Sequence, residues 1–165
     1  MKLVIIRHAK SLYNDYVTND GERHLAPRGY DDIDSTAKWL VQNKIFPDLI
    51  ITSPAIRAYS TAFIVANRVG YDTHKIQLSS SIYEASAKTL FYVLSELHEQ
   101  INTVFICGHN PGFTDFVNLL CGNVIAHLPT AAAAIVEFHP TLEWPKIAPG
   151  SGKLIEHFSN HKDIE

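Results

Sequence analysis

The sequence predicts an α/β fold: a single three-layer domain with a mostly parallel central sheet and helices on both faces. Three observations predict it. Four segments carry apolar residues at the three-and-four spacing of an amphipathic helix. Each follows a short run with the β-branched richness of a strand. The chain has 165 residues and 46% apolar content, enough for one packed core, so residues 1–165 are expected to form one domain with a flexible tail after about Phe158.

Leu3-Val4-Ile5-Ile6, ending at Arg7, reads as the first strand; four apolar residues are too few for a signal-peptide core. A helix is expected from Pro27 to Gln42, with proline in its first turn and Tyr30, Ile33, Ala37, Leu40 and Val41 inward. Asp48 to Thr52 is a buried strand. Ser53-Pro54 then supplies an N-cap and a first-turn proline for a helix with the stripe Tyr59, Ala62, Phe63, Ala66, stopped by Gly70. Ile76 to Leu78 suits a sheet edge. Ser86 can cap a helix bearing Leu90, Val93, Leu94 and Leu97. Thr103 to Cys107 is the next strand, and Asn110-Pro111 opens a helix with Phe113, Phe116, Val117 and Leu120 inward, closed by Gly122. Ala131 to Phe138 and Gly152 to Phe158 are expected to form a terminal antiparallel pair. Trp144, in the loop between them, is a packing or lid residue, and Arg28 a solvated helix-start residue.

Composition removes several function classes. With 14 Lys+Arg against 17 Asp+Glu the net charge is −3, which disfavours nucleic acid as a partner. No apolar run approaches the roughly 20 residues of a membrane span, so no membrane partner is expected. Cys107 and Cys121 have neither disulfide-scaffold density nor metal-knuckle spacing and read as small buried hydrophobes in a reducing, cytoplasmic setting. The nine histidines include no H-x-x-x-H pair on a helical pattern, so no metal and no cofactor is expected. His24, His74, His98, His127, His139, His157 and His161 are assigned to loops, solvent faces or the tail.

In a parallel α/β sheet the ligand crevice lies beyond the carboxyl ends of the strands. Three strand-to-helix turns carry unusual residues there: Arg7-His8-Ala9-Lys10-Ser11, Ser53-Pro54-Ala55-Ile56-Arg57 and Gly108-His109-Asn110-Pro111-Gly112. Two imidazoles and two guanidiniums can converge at one sheet edge. The planar fork of an arginine matches phosphoryl oxygens, so phosphate is the expected guest. A neutral imidazole is a competent nucleophile near pH 7, and nearby arginines favour that form. His8 is the candidate nucleophile; a general base acting on water is the alternative. Either role requires His8 and His109 to be neighbours, with Arg57 turned toward them.

These turns, with Leu12-Tyr13-Asn14, Ala58-Tyr59-Ser60-Thr61-Ala62 and the stretch from Leu78 through Tyr83-Glu84-Ala85-Ser86, resemble the histidine phosphatase superfamily (branch 1), whose fold is phosphoglycerate mutase-like. Within it the chain is similar to the small phosphohistidine phosphatases of the SixA type. The resemblance runs from Met1 to about Phe138 in four ordered motifs. It implies that His8 is transiently phosphorylated and that Arg7, Arg57 and His109 form the phosphate pocket, with Asn14 and Ser11 as further phosphate contacts. It implies that Glu84 protonates the leaving group and then activates water, and that Thr130 borders the pocket. Ala9 and Lys10 stand where many members have Gly and Glu; this form is compatible with the SixA-like branch, and Lys10 adds positive field at the mouth.

The chain lacks the long insertions with which phosphoglycerate mutases cover their substrates, which leaves a shallow pocket open to a histidine on another protein. The expected activity is therefore metal-independent hydrolysis of phosphohistidine on a protein. Small-molecule phosphomonoester hydrolysis or mutase-like transfer shares the pocket and differs in the leaving group. A phosphate- or phosphoprotein-binding module without turnover is the non-enzymatic alternative. The partner is accordingly a phosphorylated protein or a small phosphoester, and the oligomeric state is open.

Overall fold

In the computed structural model, which describes residues 1–13 and 19–160, the opening run is strand β1 (Lys2–Arg7). Leu3, Val4, Ile5 and Ile6 have no exposed surface, so both faces of the strand are covered. Such a strand must lie inside the sheet. Strand β4 (Thr103–Gly108) pairs with it in parallel, and β5 (Ala133–Phe138) lies antiparallel on its other side. Beyond β4 come β2 (Leu49–Thr52) and the two-residue edge strand β3 (Gln77–Leu78), both parallel. Strand β6 (Gly152–Phe158) closes the other edge, antiparallel to β5. The order is β3-β2-β4-β1-β5-β6, mostly parallel with the expected antiparallel pair late in the chain.

Successive side chains of a strand point to opposite faces, and the two cores follow that parity. Val4, Ile6, Ile50, Phe105 and Ile135 meet helices α1 (Pro27–Gln42) and α2 (Ile56–Val69). Leu3, Ile5, Ile51, Val104 and Ile106 meet α3 (Ala87–Ser95) and α4 (Gly112–Cys121). Each fully buried Leu, Ile or Phe contributes about 1.5–3 kcal/mol by leaving water. Among the described residues, no helix is long and apolar enough to cross a membrane.

The bounds of α1 agree with the periodicity, but its inner face does not. Gly29, Ile33, Thr36, Ala37 and Leu40 are buried, while Tyr30 is 48% and Val41 37% exposed. Two contacts set this rotation. A Cβ on Gly29 would lie 2.3 Å from the Lys10 carbonyl oxygen, and the Thr36 hydroxyl donates to the Ala131 carbonyl at 2.7 Å. In α2 the expected Tyr59 and Phe63 stay partly exposed and pair with each other at 6.2 Å. Ala58, Thr61, Ala62, Val65 and Ala66 face inward, because small residues let the helix lie close to its neighbours.

Ser53 does not cap α2. The cap position is Ala55, without a side-chain bond, and the Ser53 hydroxyl accepts from the Ala55 N–H at 3.2 Å. Gly70 ends the helix in the left-handed conformation, as expected. Ser86 caps α3 by accepting from the Thr89 N–H. Leu90 and Leu94 are buried, with Val93 and Leu97 packed against them. Phe113, Phe116, Val117 and Leu120 of α4 are all buried, and Gly122 is its left-handed cap.

Strand β5 starts at Ala133, later than the expected Ala131, because Ala131 has a φ of 59° and turns the chain into the strand. Trp144 is a packing residue, fully buried and donating from Nε1 to the Ile101 carbonyl at 2.7 Å. The exposed Arg28 pairs with Asp32 at 3.4 Å. Asn160 donates to the Asp32 carbonyl at 2.8 Å; the remainder of the expected flexible tail, residues 161–165, lies outside the described residues.

The tightest approach between elements is at the start of α4, where a Cβ on Gly112 would lie 1.8 Å from the Ala85 carbonyl oxygen. Gly112→Ala is expected to destabilise the fold by about 3 kcal/mol or more, read as a lower urea midpoint. An unchanged midpoint would contradict this contact.

Candidate active site

Strands β2, β4 and β1 are neighbours with matched carboxyl ends: Thr52 lies opposite Cys107, and Arg7 opposite Gly108. The pairing pins the chain just past those ends. The His8 N–H donates to the Gly108 carbonyl and the Ser53 N–H to the Cys107 carbonyl, both at 3.0 Å. The Ala131 N–H donates to the carbonyls of Arg7 and His8 at 3.1 and 3.2 Å. The Ala9 N–H donates to the Thr61 hydroxyl at 3.0 Å, which itself donates to the Arg57 carbonyl at 2.7 Å. The backbone carrying His8 is thus tied to the helix that carries Arg57.

His8 and His109 come together, with ring centroids 5.3 Å apart, and Arg57 Nη2 lies 3.3 Å from His109 Nδ1. A cavity of about 240 Å³ is lined by Arg7, His8, Lys10, Ser11, Arg57, Glu84, His109 and Thr130 from among the expected residues. Asn14 lies outside the described residues. Ser11 is buried and bridges to Leu25, while Glu84 is exposed. Glu84 and Ala131 both adopt positive φ, 48° and 59°, a conformation that costs a non-glycine residue about 1 kcal/mol or more.

Partner chemistry assigns both tautomers. His8 Nδ1 lies 2.8 Å from the Ala9 carbonyl, which can only accept, so Nδ1 carries the proton and Nε2 the lone pair. A guanidinium only donates, so His109 Nδ1 accepts from Arg57 and its Nε2–H donates to Ser53 Oγ at 2.8 Å. Burial is the main reason His8 is pushed down to about 3, with smaller contributions from His109, Arg57 and Arg7. Burial likewise pushes His109 down to about 4, with Arg57 next. The arginines therefore act in the expected direction on His8, but desolvation dominates.

The guanidiniums sit deep. Arg57 is 3% exposed, and burial lowers the pKa of Arg7. Arg7 Nη1 donates to the Leu128 carbonyl at 3.1 Å and to His127 Nε2 at 3.3 Å, so His127, assigned above to a loop, supports a pocket residue. The Nε atoms of Arg7 and Arg57 are buried with no hydrogen-bond partner among the described residues. Unmatched buried donors are costly, and guanidiniums lining one cavity suit an oxyanion.

Sequence reasoning passed over Asp20, Arg23 and Tyr83. Asp20 Oδ2 accepts from Arg57 Nη2 at 2.8 Å and from the Tyr83 hydroxyl, and its Oδ1 lies 3.2 Å from Arg23 Nε. The Tyr83 ring stands edge-on to His109 at 5.3 Å. Asp20 and Arg23 had only a charged Asp20-Gly21-Glu22-Arg23 cluster in a stretch without periodicity as a signal, and Tyr83 stood in the Leu78 to Ser86 motif without a role. Ser53 was noticed, but for its place before a helix. Among the described residues, no group of three or more His, Cys, Asp or Glu is placed to hold a metal ion.

The model of the histidine phosphatase superfamily (branch 1) matches residues 3–101. The chain is 28% identical to an uncharacterized chloroplastic protein of Arabidopsis thaliana over 82% of its own length and 66% of that protein. It is 24% identical to the mitochondrial serine/threonine-protein phosphatase Pgam5 of Drosophila persimilis, covering 96% of this chain and 62% of that one. It thus spans about two thirds of these relatives. Among solved structures it is similar to the protein histidine phosphatase SixA complexed with tungstate, with TM-score 0.81 and 22% identity over 96% of this chain and 97% of that one. It is also similar to a mycobacterial glucosyl-3-phosphoglycerate phosphatase, with TM-score 0.68 and 15% identity over 93% and 96% of the two chains.

The depressed histidines predict a pH dependence of stability. The unfolded chain protonates these imidazoles near pH 6.5, whereas the folded protein resists until about 3 for His8 and 4 for His109. Between those limits the unfolded state binds more protons. Their contribution is therefore complete above pH 6.5 and lost as pH falls, at up to about 1.4 kcal/mol per pH unit for each group. Urea midpoints of His8→Asn should fall less steeply between pH 6.5 and 4 than those of the wild type; parallel curves would contradict a buried neutral His8.

Proposed function

The chain belongs to the histidine phosphatase superfamily (branch 1), and on that premise we propose that it is a metal-independent phosphatase that removes phosphate from phosphohistidine on a protein, through a covalent intermediate on His8. The observation that carries this reading is the fixed tautomer of His8: Nδ1–H is held by the Ala9 carbonyl, leaving the Nε2 lone pair in a neutral, buried ring. Half-buried Arg7 and buried Arg57 line the same cavity, with Nε donors unmatched among the described residues.

In the first step His8 Nε2 attacks phosphorus, the bond from phosphorus to the substrate nitrogen breaks, and the departing imidazole leaves with a proton it already carries or receives from Glu84. In the second, water attacks phosphorus and gives a proton to the Glu84 carboxylate, the bond to Nε2 breaks, and inorganic phosphate leaves. Arg7 and Arg57 stabilise the equatorial oxygens, with Ser11 and Asn14 as further contacts; His109 joins them when its Nε2–H turns from Ser53 Oγ to a phosphoryl oxygen. Positioning and charge do most of the catalysis in phosphoryl transfer. An imidazole leaving group can arrive protonated, so Glu84 assists more than it decides. A phosphomonoester lacks that advantage and depends more heavily on Glu84.

A phosphohistidine protein reaches the site through a rim where Tyr13 is 87% exposed and Lys10 and Glu84 face solvent. Small phosphoesters and phosphoserine belong on the same substrate panel, since the Pgam5 relatives are named as serine/threonine-protein phosphatases. The two free cysteines support a reducing compartment, the cytoplasm.

His8→Ala is expected to abolish turnover of phosphohistidine protein and of an aryl phosphate, and alkaline quenching of the wild type during turnover should trap acid-labile, base-stable phosphate on His8. Wild-type rates in His8→Ala would remove the nucleophile assignment. Arg57→Ala should lower kcat by about 10²–10³. Stoichiometric phosphate binding without product would indicate a binding module.

A further inference from the structure

The guanidinium of Arg57 already has an anion. Arg57 Nη1 donates to the main-chain carbonyl of Asp20 at 2.7 Å, and Nη2 donates to the Asp20 carboxylate at 2.8 Å. The cation is the buried member, 4% exposed at its side chain against 44% for Asp20, so the carboxylate reaches inward from the rim. The same carboxylate accepts from the Tyr83 hydroxyl and forms an ion pair with Arg23.

We propose that Asp20 is a positioning residue of the phosphate site: it clamps Arg57 beside His109, and its charge sets how tightly that guanidinium holds a phosphoryl oxygen. The inference rests on the phosphatase reading of this site. A guanidinium has five N–H donors in a fixed plane. Asp20 grips two nitrogens along one edge, and Nη2 also reaches His109. One Nη1 hydrogen is left for an oxyanion; the Nε is itself buried and has no hydrogen-bond partner among the described residues. Hydrogen bonds from Tyr83, then Arg57, with the charges of Arg57 and Arg23, hold the Asp20 carboxyl below its ordinary range, so it stays anionic at neutral pH.

An incoming phosphoryl group thus meets a cation whose charge is already shared. Two anions on one guanidinium repel each other, which weakens retention of the product phosphate. Asp20 exchanges affinity for release. It also orders Tyr83, whose ring packs on His109.

The test is binding of inorganic phosphate, by calorimetry, to wild type, Asp20→Asn and Asp20→Glu, with kcat and KM for p-nitrophenyl phosphate. Asp20→Asn keeps the main-chain carbonyl and removes the charge. Phosphate should bind about three- to tenfold more tightly to it, KM should fall with the dissociation constant, and kcat should fall as product lingers. Asp20→Glu restores the charge and should bind phosphate within about twofold of wild type. Phosphate binding to Asp20→Asn that is unchanged or weaker, with an unaltered melting temperature, overturns the proposal. If Asp20→Asn melts lower, Tyr83→Phe, which removes one support of the carboxylate, is read instead; raised KM and weaker phosphate binding there overturn it. A wild type that binds phosphate but turns nothing over defeats the phosphatase reading, while the comparison of phosphate affinities still decides the role of Asp20.

Discussion

The pairing of β1, parallel with β4 and antiparallel with β5, is the constraint on which the molecule depends. It sets Arg7 opposite Gly108, so the first turn after β1 and the first turn after β4 leave the sheet at the same height. Hydrogen bonds from His8 and Ala131 then hold those turns to the strand ends. A slip of one residue would exchange the two faces of β1, moving Val4 and Ile6 to the wrong core. With both faces buried, no such slip is tolerated, and the two imidazoles inherit that rigidity.

Desolvation organises the chemistry more than charge does. Burial keeps His8 and His109 neutral, and the arginines add to an effect already in place. The same burial leaves the Nε donors of Arg7 and Arg57 unmatched among the described residues. Asp20 supplies the counter-charge that such a deep cation needs. Glu84 and Ala131 carry positive φ at the edges of the site, a cost borne where the loops must turn sharply beside it.

The fold class was legible because it follows from periodicity, a local property. The bounds of α1 and β6 and the inner stripe of α4 follow directly from it. Helix rotation was less legible. Tyr59 and Phe63 look like core residues by hydropathy, yet α2 turns its alanines inward, because separation from α1 and the sheet favours small side chains there. Hydrophobicity ranks residues one at a time, and packing selects a face for the fit of all of them. The site divides similarly: Arg7, His8, Arg57 and His109 stand at strand-to-helix turns where any parallel sheet would present them, whereas Asp20 and Tyr83 lie in irregular segments where neither periodicity nor capping assigns them a role.

What the sequence by itself determined is the order of strands and helices along the chain, the bounds of α1 and the glycine stops of α2 and α4, and the set of turns from which the cavity-lining side chains project, since each is written in spacing and in capping residues. Only the tertiary structure decided which strands adjoin, which tautomer each imidazole adopts, and which carboxylate meets Arg57. Those outcomes depend on contacts between residues far apart in sequence: Asp20 and Arg57 are 37 positions apart, and Arg7 and His127 are 120. Local propensity carries no information about such pairs; they form when burial removes water as the competing partner and leaves each polar group to find another.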